Sequence, residues 1–164
     1  MSGSLASALA VHAADWPREP LPAECVAFMR ARGVSEDIIA KLDACAFAGH
    51  LQMGNLSLSR LAAVAAENLE DENSPCIENG FLIIGSGLNG DPIALELETR
   101  TVAFISHDKL WEEDYDSFDE VVVRTPLPFD EFWLAAWEDP EFPCDSYEAA
   151  EKWPPRTGAR RDRS

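Results

Sequence analysis

Residues 81–107 read Phe-Leu-Ile-Ile-Gly-Ser-Gly-Leu-Asn-Gly-Asp-Pro-Ile-Ala-Leu-Glu-Leu-Glu-Thr-Arg-Thr-Val-Ala-Phe-Ile-Ser-His, and their reading decides the fold. Phe81 to Ile84 is a short apolar run between Asn79-Gly80 and Gly85. Turn signals at both ends and its β-branched and aromatic content predict a strand. Ile93, Leu95 and Leu97 then alternate with Ala94, Glu96 and Glu98, the period of a strand with one buried and one wet face. Thr99 to Thr101 can turn the chain. Val102, Phe104 and Ser106 alternate with Ala103, Ile105 and His107 on the way back. The product is an antiparallel meander, not a crossover.

Gly85, Gly87 and Gly90 match G-x-G-x-x-G, and Asp108 stands about where a ribose-binding acid is sought. That motif needs a helix directly after the loop, whose N-terminus holds the pyrophosphate. Here Asn89-Gly90-Asp91-Pro92 is a turn signature, and strand alternation follows it. The glycines are therefore read as supplying a tight loop between strands.

Outward on the C-terminal side lies an acidic segment. Asp108, Glu112, Glu113, Asp114, Asp116, Asp119 and Glu120 crowd around Leu110, Trp111, Tyr115 and Phe118, with Lys109 as the only cation. Two readings stand side by side. In one, a solvated loop tucks its aromatics back onto the sheet. In the other, the acids steer a partner, and Trp111 and Tyr115 anchor it. The candidate partner-binding residues are then Trp111, Glu112, Glu113, Asp114, Tyr115, Asp116, Asp119 and Glu120. The run lacks the spaced acids, glycine and closing Glu of a calcium loop. Nothing marks a carboxylate pair for hydrolysis either.

Val121 to Val123 predicts a last strand, ended by Pro126 and Pro128. Phe129, Phe132, Trp133, Ala136 and Trp137 recur at helical spacing, with Asp130 and Glu131 in the first turn and Asp139-Pro140 as the stop. Such a stripe must bury its face on the sheet. Residues 138–153 offer Phe142, Tyr147 and Trp153 as possible surface anchors. From Pro154 the composition turns basic, which predicts a disordered tail over 154–164.

On the N-terminal side, residues 1–20 read as a loose, Ala-rich lead. A helix is predicted from Pro22 to Arg32, stopped by Gly33. Ser35 caps a second helix with Ile38, Ile39, Leu42, Cys45 and Ala46 on one face. Gly49-His50 and Gly54-Asn55 interrupt the chain. Leu58, Leu61, Ala62, Ala65 and Leu69 space as a third helix from near Ser57, the alternative being a short strand at 56–58 before it.

The chain has 164 residues, which suits one domain with a sizeable core, here 21–153. Thirteen basic residues oppose thirty acidic ones, for a net charge of −17. Residues 154–164 carry four bases and one acid, so residues 1–153 stand at about −20. Such a field repels nucleic acid and anionic membranes and steers a basic partner. Cys25, Cys45, Cys76 and Cys144 are scattered, as are His12, His50 and His107. No metal spacing can be built from them, and buried thiols are expected. No signal peptide or membrane span is legible, so a soluble cytoplasmic protein is expected. There is no nucleophile elbow and no phosphate loop, and neither enzyme activity nor a cofactor is expected.

The glycine loop ending in Asp, the alternating strand, the turn, the return strand and the closing Ser-His resemble the SUKH superfamily, which includes the Smi/Knr-type proteins and many bacterial immunity proteins. Gly87, Gly90 and Asp91 match its turn, His107 the end of its second strand, and Phe129, Phe132, Trp133 and Trp137 its closing helix. The resemblance covers about residues 77–137. It implies an α+β fold: an antiparallel meander of about four strands packed against N-terminal helices and one C-terminal aromatic helix. It also implies a non-catalytic immunity protein that neutralises a cognate toxin domain, often a nuclease. The alternative is a regulatory scaffold of the same fold with a partner that is not a toxin.

Overall fold

A computed structural model describes residues 4–154. Six strands form one antiparallel sheet in chain order: β1 (Leu51–Met53), β2 (Leu56–Leu58), β3 (Phe81–Ser86), β4 (Pro92–Glu96), β5 (Thr101–Ile105) and β6 (Val122–Pro128). Eight helices among the described residues surround it: α1 (Leu5–His12), α2 (Ala23–Ala31), α3 (Glu36–Ala44), α4 (Val64–Leu69), α5 (Ser74–Glu78), α6 (His107–Trp111), α7 (Phe129–Glu138) and α8 (Ser146–Lys152). The expected α+β meander is present, with six strands where about four were expected.

The additional strands are the hairpin β1–β2. Each is three residues long, too short for a period of two to be read. Leu58 also sits three residues before Leu61, which mimics helical spacing. The strand alternative at 56–58 is the one adopted, with Ser57 opposite Ser86 and Leu58 opposite Gly85 on β3. The helix begins later, through a short 3-10 turn at Leu61–Ala63 into α4.

Asn68 explains why α4 lies where it does. It is fully buried. Its amide donates to the carbonyl of Ile83 at 3.0 Å and its oxygen accepts the Ile83 amide at 2.7 Å. The β3–β4 register shifts between Ile83 and Gly85, and the Asn68 side chain bonds both backbone groups of Ile83 beside that irregularity.

The expectation of a wet face on β4 is corrected: Pro92 to Glu96 are all buried. Ile93 and Leu95 face the larger core with Leu82, Ile84, Val102 and Phe104. Ala94 faces a second cluster with Phe81, Ile83, Ala103 and Ile105. That second face is covered by Cys76 of α5 and by the segment 107–121, through Leu110, Val121, Tyr115 and Phe118. A face reads as wet from Glu96 and Glu98 only if nothing crosses it, and here an acidic segment does.

Of the expected loose lead, the described part, residues 4–20, includes a packed helix. Ser4 caps α1 by accepting from the Ser7 amide at 3.1 Å, Leu5 and Leu9 are buried, and the helix packs on α7. The His12 ring meets Trp137 edge-on at 4.6 Å. Two leucines in an alanine-rich stretch give little amphipathic signal, so tertiary contact stabilises this helix more than its own sequence does.

α7 buries Phe129, Phe132, Trp133 and Ala136 against the sheet, while Trp137 stays half-buried. Truncating Trp133 costs about 3–5 kcal/mol on the usual scale for core aromatics. Phe142 is buried too, at 5.1 Å from Phe132, and so is not the surface anchor expected of it. The expected basic tail, Pro154 aside, lies outside the described residues. Among those described, no helix is long and apolar enough to cross a membrane.

Candidate functional site

The acidic segment is an ordered arm. It leaves β5 through α6, whose Leu110 plugs the second cluster. Asp114 donates its amide to the Lys109 carbonyl at 2.9 Å and Glu113 to that of Leu110 at 3.3 Å, with Glu113 at φ 55°. This is a Schellman closure with a glutamate at the position that favours glycine. Ser117 and Glu120 then form a capping box, and Glu120 accepts the amides of Asp116 and Ser117 at 3.2 and 3.0 Å.

Arg124 on β6 clamps the arm. Its Nε donates to Glu96 Oε1 at 2.9 Å, one Nη donates to Asp119 Oδ1 at 3.0 Å, and the guanidinium lies 5.5 Å from the centre of the Phe81 ring. Glu96 is only 9% exposed, so this cation answers a buried charge on the sheet and an exposed one on the arm.

The eight residues proposed from sequence therefore divide. Tyr115 is half-buried and edge-on to Phe118 at 6.2 Å. Asp119 is taken up by Arg124, and Glu120 by backbone amides. These three hold the arm in place. Trp111, Glu112, Glu113, Asp114 and Asp116 are exposed, and no ion pair engages these acids among the described residues. The tucked-back reading thus describes Tyr115 and Phe118, while Trp111 and the four unpaired acids face water.

At the start of the arm a buried carboxylate gathers three segments. Asp91 Oδ1 accepts the His107 amide at 3.0 Å and lies 2.5 Å from the ring Nδ1, while Oδ2 accepts the Ser146 amide at 2.8 Å. Burial opposes the charge on Asp91. Hydrogen bonds from the His107 amide, the Ser146 hydroxyl and amide, and the His107 ring outweigh it and hold the carboxyl below its usual range. Nε2 of His107 lies 3.1 Å from Asp108 Oδ1, and Tyr147 donates its hydroxyl to Asp108 Oδ2 at 3.0 Å. Trp111 meets the His107 ring at a tilt, 4.9 Å between centres.

The glycine loop is shaped by contacts within the protein. A Cβ on Gly85 would meet the Ser57 carbonyl at 2.5 Å and the Trp133 ring at 2.7 Å. One on Gly87 would meet the Cys144 carbonyl at 2.6 Å. Gly90 has φ +95°. β4 follows directly, as the turn signature predicts. Leu88 is the residue that sequence reasoning passed over. It is 67% exposed, and its amide donates to the Cys144 carbonyl at 2.9 Å. Only its place inside a turn hinted that an apolar side chain there would face water.

Chemically, both His107 nitrogens abut carboxylates, so the ring presents no free nitrogen to a substrate. Burial pushes the Cys45 and Cys76 thiols up to about 12, and burial with Glu148 and Asp145 pushes Cys144 to about 11, which disfavours the thiolate at neutral pH. No group of three or more His, Cys, Asp or Glu among the described residues is placed to hold a metal. A groove of about 510 Å³ runs between the β1–β2 turn and the end of α7, lined among others by Leu56, Trp137, Phe142, Glu138 and Asp139.

No family model, no curated protein and no solved structure matches this chain.

Proposed function

We propose that this protein is a non-catalytic immunity protein, which binds and neutralises a cognate bacterial toxin domain through its acidic arm. The reading is supported above all by one observation: Glu112, Glu113, Asp114 and Asp116 are exposed and unpaired among the described residues, beside the exposed Trp111, on a segment clamped to the sheet. A surface that only kept the chain soluble would not need to be held in a fixed shape. Such a surface suits a partner with a basic groove, as a nuclease has, since charge complementarity raises the encounter rate and an aromatic anchor slows escape. The resemblance to the SUKH superfamily points the same way.

The test is to mix the purified protein with the toxin domain encoded beside its gene and to follow both complex formation and toxin activity. A nanomolar complex that silences the toxin and loosens with salt supports the proposal. A folded protein that leaves the toxin free and active contradicts it, and moves the weight to a regulatory scaffold on the same fold.

A further inference from the structure

We infer that Leu88, Trp111 and Tyr147 form one composite docking patch that takes an apolar side chain flanked by arginine or lysine. The inference rests on the binding reading above and deepens it by naming what the surface recognises. The three residues come from segments far apart in the chain: the β3–β4 loop, α6 and the first turn of α8. All three segments are tied to Asp91. Its carbonyl accepts the Gly87 amide at 2.8 Å, and its two carboxylate oxygens accept the His107 and Ser146 amides. Each of the three side chains thus projects from within one contact of a shared buried node.

Each is also exposed: Leu88 by 67%, Tyr147 by 60% and Trp111 by 42%. Large apolar side chains scattered singly need no explanation, but three on segments tied to one carboxylate do. None is left loose. The Leu88 backbone is bonded to Cys144, the Trp111 ring packs at a tilt against His107, and the Tyr147 hydroxyl is bonded to Asp108. Residues held in place before a partner arrives cost less to order on binding, and Trp and Tyr are the side chains most often found at the energetic centre of interfaces.

Charge names the occupant. Around the three side chains, residues 107–112 and 145–148 hold Asp108, Glu112, Asp145 and Glu148 against the single cation Lys109. An apolar centre with an anionic rim disfavours an acidic or purely apolar partner and fits an apolar residue between cationic ones.

Two synthetic octapeptides test this against the full-length, ¹⁵N-labelled protein: one alternating Arg and Leu, the other all Arg. The alternating peptide carries half the charge, so it binds more tightly only if apolar contact contributes. The expected result is that it binds at least about fivefold more tightly than octa-arginine, shifting the Trp111 indole and the Leu88 and Tyr147 amides. Leu88→Ser and Tyr147→Ser each weaken it about fivefold or more, while Leu69→Ser, at an exposed leucine on α4, changes nothing. Octa-arginine binding as well as the mixed peptide, with Leu88→Ser silent, overturns the patch and leaves the acidic arm as a cation-binding surface. Binding of neither peptide overturns the patch and the basic-partner reading together.

Discussion

Asp91 and His107 are joined twice: one carboxylate oxygen accepts the His107 amide at 3.0 Å and meets its ring nitrogen at 2.5 Å. The same carboxylate takes the Ser146 amide, so one buried side chain fixes the turn before β4, the start of the arm and the start of α8.

Removing that side chain leaves two amides without an acceptor. Asp91→Ala is expected to cost about 3 kcal/mol, at the usual penalty for each abandoned group. The pH dependence has a definite sign. A carboxylate whose folded pKa is lowered stabilises the fold above its unfolded value, about 3.9, and that contribution is lost as pH falls through the folded value. Wild-type protein should lose stability on this account below about pH 4, and Asp91→Asn should lose less over the same interval. Urea midpoints across this range measure it, and parallel curves for the two proteins would sink the assignment.

Asn68 serves both backbone groups of Ile83. Asn68→Ala should cost about 2–4 kcal/mol, more than an exposed helix substitution, because a buried donor and a buried acceptor both lose their partner. Amide exchange at Ile83 should rise out of proportion to that of Leu82. Equal changes along β3 would mean that the register irregularity needs no support.

Gly85 and Gly87 touch the protein's own backbone. Gly85→Ala is expected to cost about 1–3 kcal/mol by overpacking against Trp133 and β2. Gly87→Ala should cost a similar amount by pushing away the Cys144 carbonyl. Thermal or urea unfolding decides. A neutral Gly87→Ala would show that the 144 segment shifts freely.

Arg124→Met breaks the clamp. The cost should be about 1–2 kcal/mol, less than for a fully buried pair because the Arg124 side chain is 44% exposed. Hydrogen exchange should quicken over residues 112–121 before it does in β4 or β5. A uniform change would show that the aromatics alone hold the arm.

The central meander was legible from residues 81–107 because their alternation and turn residues are strictly local signals. The α7 stripe was legible for the same reason. What the sequence did not disclose depends on contacts between distant residues. The β1–β2 hairpin is too short to show a period. α1 is stabilised by α7, not by its own pattern. The second face of β4 looks wet until the arm is known to cross it. Within the candidate site, acidity and aromatics were plain, but their division was not. Only the fold reveals that Asp119, Glu120 and Tyr115 hold the arm while Trp111 and Glu112 face water. Leu88 joins Tyr147 and Trp111 only through the Asp91 node, which no linear pattern displays.

The most direct test of the account is the association rate with the neighbouring toxin domain, by stopped flow at low and high salt, for wild type and for a variant neutralised at Glu112, Asp114 and Asp116. The account predicts a wild-type rate that falls more than about tenfold between low and high salt, and a variant that associates slowly at both. A complex whose rate is indifferent to salt and to the three substitutions would contradict it.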